Sequence, residues 1–145
     1  MLTKSWSATL NGIKPYTVEI EVSNSGSGVE DVFSIVGLPD ASVRESKERI
    51  RSAIFASSLK YPRGYTTISL APADIRKSGS SFDLPIAISF LATKGKILES
   101  QLNKTMLIGE LALDGRLRPV RGVLAMAVHA REEGFERIFV PAENA

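Results

Sequence analysis

The chain has no cysteine. That removes disulfides, zinc–thiolate sites and cysteine nucleophiles together, and it suits a reducing cytosol. His129 is the single histidine, so a Ser-His-Asp triad could be built only through it and no histidine-based metal cluster can form. Standing in the last helical segment, it reads as a packed or surface residue. No GxxxxGK[ST] run is present, so ATP cannot be cradled here by a Walker A loop. Gly26-Ser27-Gly28 lacks the third spaced glycine and the following helix of a dinucleotide fingerprint. No apolar run approaches the roughly 20 residues of a membrane span, and the opening MLTKSWSATL has no signal-peptide core. A cytoplasmic protein outside the membrane is expected. Excess charge of one sign is also missing: 18 Lys and Arg against 16 Asp and Glu leave +2, too little to argue for nucleic acid by bulk charge.

What is present is globular material. With 145 residues, 43% hydrophobic and 23% charged, the chain fits one domain over 1–145 with a sizeable core. Trp6–Leu10 and Tyr16–Val22 read as strands, the second alternating Val18, Ile20 and Val22 against Thr17, Glu19 and Glu21. Asn11-Gly12 is the turn signal between them. Ser23–Gly28 reads as a loop and Asp31–Val36 as a third strand, which together predict an antiparallel meander. Asp40, or a rival Ser42/Glu45 capping box, opens a helix over about Ala41–Leu59. Val43, Ile50, Ala53, Ile54 and Ser57 mark its buried stripe; Arg44, Lys47, Glu48 and Arg51 take the outer face.

A strand at Tyr65–Leu70 follows, then an almost wholly apolar helix over about Phe82–Thr93 with Pro85 in its first turn. Met106–Leu113 reads as a strand, Asp114-Gly115 as a two-residue hairpin turn, and Arg116–Val120 as the return. A helix over about Gly122–Glu133 ends at Gly134, and Ile138–Val140 is a final strand. Strands packed on one side by about three helices make the fold class α+β. VPAENA comes after the last strand with no closing element, which implies a chain that continues.

The chemistry concentrates in SLAPADIRKSGSSFDLPIAISF (69–90). A strand runs into a basic turn, then Gly79-Ser80-Ser81, then the apolar helix, placing two hydroxyls and several N–H groups at a helix N-terminus. Ser81 is the best nucleophile candidate, and without histidine its base must be a lysine with a lowered pKa. The plainer reading makes Ser80 and Ser81 helix caps.

GELALDGRLRPVRG (109–122), closing with IFVPAEN (138–144), resembles the proteolytic domain of Lon-type proteases and the C-terminal domain of the RadA/Sms recombination proteins. In the Lon pattern a Lys-Asp-Gly-Pro-Ser-Ala-Gly motif carries the serine, and Lys77–Asp83 stands in its place, so Ser81 matches the nucleophile. The Lon lysine lies four residues after the second glycine of a Gly-Gly pair that here reads Arg121-Gly122. That position is Met126, which takes no proton, and Lys77 could serve only by folding back from its own turn. The resemblance therefore implies no Lon peptidase activity and no catalytic residue.

A resemblance over the whole chain is carried by VGLPDASVRESKERIRSAI (36–54), SLAPADIRKSGSSFDLPIA (69–87), and GELALDGRLRPVRGVL (109–124) with VPAENA (140–145). These resemble the N-terminal domain of the YifB/ComM family of Mg-chelatase-like AAA+ ATPases. The resemblance implies a ribosomal protein S5 domain 2-like fold with a mixed sheet. It further implies an ATPase module elsewhere, to which ATP and Mg²⁺ belong, a hexamer when full length, and work in DNA processing such as branch migration during natural transformation. No metal site or cofactor is expected within these residues; Glu110 and Asp114 read as fold residues. The leading expectation is a non-catalytic accessory domain that helps the motor assemble or engage DNA. Candidates for nucleic-acid or anion contact are Arg44, Lys47, Arg51, Arg76, Lys77, Arg116, Arg118 and Arg121. The rivals are a Ser–Lys peptidase using Ser81 and a protein-interaction platform for oligomerisation.

Overall fold

A computed structural model describes residues 1–26 and 29–145. Its main sheet has six strands in the order β3-β4-β2-β1-β5-β8. In chain order these are β1 Leu2–Asn11, β2 Lys14–Ser25, β3 Asp31–Val36, β4 Gly64–Ala71, β5 Thr105–Leu107 and β8 Arg137–Phe139. The β1–β2 and β2–β4 pairs are antiparallel; β3–β4, β1–β5 and β5–β8 are parallel. The sheet is mixed and the class is α+β. Helices α1 Ala41–Arg44 and α2 Ser46–Ala56 cross from β3 to β4, while α3 Asp83–Ala92 and α4 Val123–Glu132 follow.

The meander is corrected. β3 does not return along β2; β4 takes that place, with Ile20 opposite Leu70 and Val22 opposite Ile68. Residues 37–63 provide the long crossover that a parallel β3–β4 pair requires. The predicted loop also shortens, because β2 runs to Ser25; Ser27 and Gly28 lie outside the described residues. Gly37 makes the turn out of β3 at φ +109°, and a Cβ there would sit 2.1 Å from the Leu70 carbonyl oxygen. Only glycine fits.

The helix expected over 41–59 is broken at Glu45 and ends at Ala56, where Ser57 is an exposed cap rather than a buried residue. Asp40 is the N-cap, its Oδ1 accepting from the Val43 N–H at 2.8 Å. The strand expected over 106–113 splits as well. After β5, Gly109 donates to the Ser81 carbonyl and accepts from the Leu84 N–H, drawing the chain off the sheet to the start of α3. β6 Glu110–Leu111 then pairs with β7 Leu117–Arg118 in a separate hairpin. Its loop is longer than two residues: Ala112 donates to the Arg116 carbonyl at 2.8 Å, and Gly115 closes the turn at φ +94°.

Alternation along β2 sets the layers. Val18, Ile20 and Val22 face a core built with Ile50, Ile54, Ile68, Leu70, Ile86 and Phe90 from α2, β4 and α3. Phe90 meets Phe33 and Tyr61 edge-on at 5.6 and 5.2 Å between ring centroids. Thr17, on the opposite face, shares a 2.8 Å hydrogen bond with His129 of α4. Helices thus lie on both faces: α4 covers a second cluster of Ala8, Met106, Ile108, Met126 and Ala130. A Schellman turn ends α4, with Phe135 donating to the Ala130 carbonyl at 3.0 Å beyond Gly134 at φ +84°.

Candidate functional site

The odd residues of β1 form a hydroxyl seam against α3. Thr3 donates to the Ser89 carbonyl at 2.7 Å, Ser5 to the Pro85 carbonyl at 3.1 Å, and Ser89 to the Ser5 oxygen at 2.6 Å. Ser7 continues the seam as a buried hydroxyl without a partner among the described residues, and Thr9 ends it at a cavity of about 340 Å³. Ser78–Ser81 form one wall, Pro119, Val120 and Arg121 another, with Ala8, Leu10 and Met126 contributing apolar surface. The spacing Thr3, Ser5, Ser7, Thr9 in the sequence was the signal for this seam, and periodicity judged by apolar residues alone passes over it.

Two clamps shape the serine turn. Pro39 bridges to Lys77, and Asp40 Oδ2 accepts from the Gly79 N–H at 3.2 Å, so the residue that caps α1 also fixes the turn. On the other side the Ser80 hydroxyl donates to Glu110 Oε1, and Arg118 Nε stands 3.6 Å from Glu110 Oε2. The capping role read for the serines is corrected: Phe82 precedes the first turn of α3 and no side chain caps it. The Asp83 N–H goes to the Ser80 carbonyl, and Leu84 is satisfied by Gly109. The backbone has already taken the donors that a serine would have capped.

Lys77 is fully buried, and its ammonium donates to the Pro72 carbonyl. Burial holds its pKa below the ordinary lysine value, with Asp74 pulling it partly back. Lys77 therefore neither offers charge to an anion at the surface nor lines the cavity beside Ser81. Arg51 is engaged by Asp31 at 3.3 Å and lies over the Tyr61 ring; Arg116 pairs with Asp114 of its own hairpin at 2.8 Å. Arg44, Arg76 and Arg121 are exposed and Lys47 is half-buried. None of these four pairs with a carboxylate among the described residues.

One ion pair escaped sequence reasoning. Arg49 holds Asp83 through two bonds, Nε to Oδ2 at 2.6 Å and Nη2 to Oδ1 at 3.0 Å, while Asp83 also accepts from the Leu111 N–H at 3.0 Å. Burial pushes the Asp83 carboxyl up and Arg49 pulls it back; the carboxylate in turn raises the guanidinium. The pair ties α2, α3 and β6 together directly behind the serine turn.

Ser81 and Met126, the positions that match the Lon serine and lysine, line one cavity, and among the described residues no lysine lines it. The profile of subunit ChlI of Mg-chelatase matches residues 18–144. The chain belongs to the Mg-chelatase-like family. Among relatives of this Mg-chelatase-like chain, YifB of Salmonella typhimurium is 43% identical over 131 residues, 90% of this chain and 25% of its own length. The competence protein ComM of Haemophilus influenzae is 40% identical over 129 residues, 89% of this chain and 24% of its own. A weaker likeness, 29% over 148 residues, reaches the Lon protease of Protochlamydia amoebophila. This Mg-chelatase-like chain spans about a quarter of the length of the curated relatives it matches. The sequence has no Walker A run, and among the described residues no group of three His, Cys, Asp or Glu could hold a metal ion. No helix among them is long and apolar enough to cross a membrane.

Proposed function

We propose that this chain is a non-catalytic accessory domain of a cytoplasmic Mg-chelatase-like ATPase that works in DNA processing. The observation that carries this reading is the pairing of Ser81 with Met126 across one cavity. A serine hydroxyl needs a base within about 3 Å to become a nucleophile, and a thioether accepts no proton. Lys77, the nearest lysine in sequence, spends its ammonium on Pro72. Incubation of an unstructured protein with the purified chain and with Ser81→Ala should give no cleavage in either case. Turnover that disappears in Ser81→Ala would restore the Ser–Lys peptidase reading.

ATP and Mg²⁺ are then the business of a separate AAA+ module, the domain's main partner, in a hexamer. The Haemophilus influenzae relative is a competence protein, which supports the DNA assignment. Contact with single-stranded DNA falls to Arg44, Lys47, Arg76 and Arg121, whose charges no carboxylate engages among the described residues. The Pro39–Lys77 bridge brings the Arg76 turn to the start of the four-residue α1, which ends at Arg44. Four phosphate contacts predict that log affinity falls against log salt with a slope of about −3. No binding at low salt, or affinity indifferent to salt, would remove DNA from the proposal.

A further inference from the structure

We propose that the cavity beneath the Ser78–Ser81 turn binds a hydrophobic carboxylate, supplied either as a small molecule or as the C-terminal end of a polypeptide. This goes beyond the accessory role and does not depend on DNA contact. The cavity collects donors that have no acceptor. The N–H groups of Ser80 and Ser81 make no hydrogen bond among the described residues, nor does the Ser81 hydroxyl. Thr9 is only 5% exposed and lines the cavity, and its hydroxyl has no partner among the described residues, whereas Thr3 and Ser5 of the same seam are satisfied. The Thr9 oxygen is not among the fully enclosed ones, so in this otherwise buried residue it is the hydroxyl that opens to the cavity. Arg121 adds an unengaged guanidinium at the rim, and the ten-residue α3 begins just behind the turn, so its dipole favours negative charge there.

Three features select the ligand class. The apolar lining is Ala8, Leu10, Pro119, Val120 and Met126, with no aromatic ring, so a nucleobase finds nothing to stack on while an aliphatic group is buried. The turn already holds two carboxylates, Asp40 on the Gly79 N–H and Glu110 on Ser80, which repel a dianionic phosphate and leave Arg121 to balance a single charge. Finally, a planar guanidinium matches the two oxygens of a carboxylate.

Titration of the isotope-labelled chain, followed by NMR, tests the assignment. The probes are N-acetyl-leucine, its amide, a short peptide ending in leucine as free acid and as amide, and dAMP. The free acids should shift the Thr9, Ser80, Ser81 and Arg121 amides, and the amides should bind at least about tenfold more weakly because they lose the charge-assisted bonds. Arg121→Gln should cost about tenfold and the shape-conserving Thr9→Val several-fold, while Arg131→Gln, an equal change of net charge on α4, leaves binding unchanged. A peptide acid about tenfold tighter than N-acetyl-leucine identifies a chain terminus as the source; equal affinity identifies a small molecule. Acids and amides binding alike, tighter binding of dAMP, or no shift at these residues would overturn the proposal.

Discussion

Lys77 carries an ammonium into the interior and finds one acceptor there, the Pro72 carbonyl. Its folded-state pKa lies below the ordinary 10.5 because burial penalises the charged form. Between that lowered value and 10.5 the unfolded chain binds more protons than the folded one, so this residue makes stability rise with pH across the window. Tyr61 acts in the opposite sense, since burial raises its pKa above the ordinary 10.0 and stability is lost as pH passes 10. Comparison with Lys77→Met cancels the tyrosine. Urea unfolding from about pH 8 upward should show wild type gaining on the variant until the unfolded lysine titrates; a constant gap would mean the ammonium is solvated. Met126 presents the converse case. It is 3% exposed and packed with Ala8, Met106, Ile108 and Ala130, so Met126→Lys, which writes in the missing base, should cost about 2–4 kcal/mol in the same assay. A variant as stable as wild type would show that the position opens to the cavity enough to keep an ammonium solvated.

At the scale of elements, the Arg49–Asp83 pair decides how α2, α3 and β6 meet. Asp83→Ala leaves a guanidinium at 19% side-chain exposure without its anion and the Leu111 N–H without an acceptor. A loss of about 3–5 kcal/mol is expected. Arg49→Met combined with Asp83→Leu should return most of that loss in equilibrium unfolding, because two desolvated charges disappear together; failure to return would give the pair itself net stabilising value. None of this was legible beforehand. Helical spacing matches Arg49 to Glu45 one turn away, and that contact exists at 3.8 Å, but its better partner stands 34 residues on. Local periodicity reported correctly what is local: the alternation of β2, the apolar run of α3, and the Gly134 stop of α4. It could not report that β4 displaces β3 beside β2, since strand order follows the crossover. It also could not report that Asp83, rather than a serine, organises the start of α3. Ser81 and Met126 were found through their likeness to a protease pattern, and the structure set them in one cavity. The seam leading there was hidden because its members are hydroxyls, not apolar residues.

Across the whole molecule, the side chain of Asn144 links the last residues to the cavity. Asn144 imitates a strand partner: its Oδ1 accepts from the Val120 N–H at 2.9 Å and its Nδ2 donates to the Val120 carbonyl at 3.0 Å. Val120 lies between Pro119 and Arg121 in the cavity wall. Segment 141–145 is otherwise thinly held, with a short 3₁₀ turn over Ala142–Asn144 and mostly exposed residues. Any force on that segment from a longer chain would therefore reach the cavity through two hydrogen bonds. Each contributes about 1 kcal/mol net, so Asn144→Ala should speed hydrogen exchange at Val120 by about tenfold or more under native conditions. Ile20, in the middle of the sheet and fully buried, should keep its protection, because the clasp lies outside the main core. If Val120 were unchanged, the wall would be held by the α4 cluster, where Val120 packs beside Leu10 and Val123, and the cavity would be insulated from the segment that follows it. If both amides exchanged faster, Asn144 would be supporting the global fold. Only the local response marks the clasp as a connection between what lies beyond residue 141 and the site that Ser81 and Arg121 share.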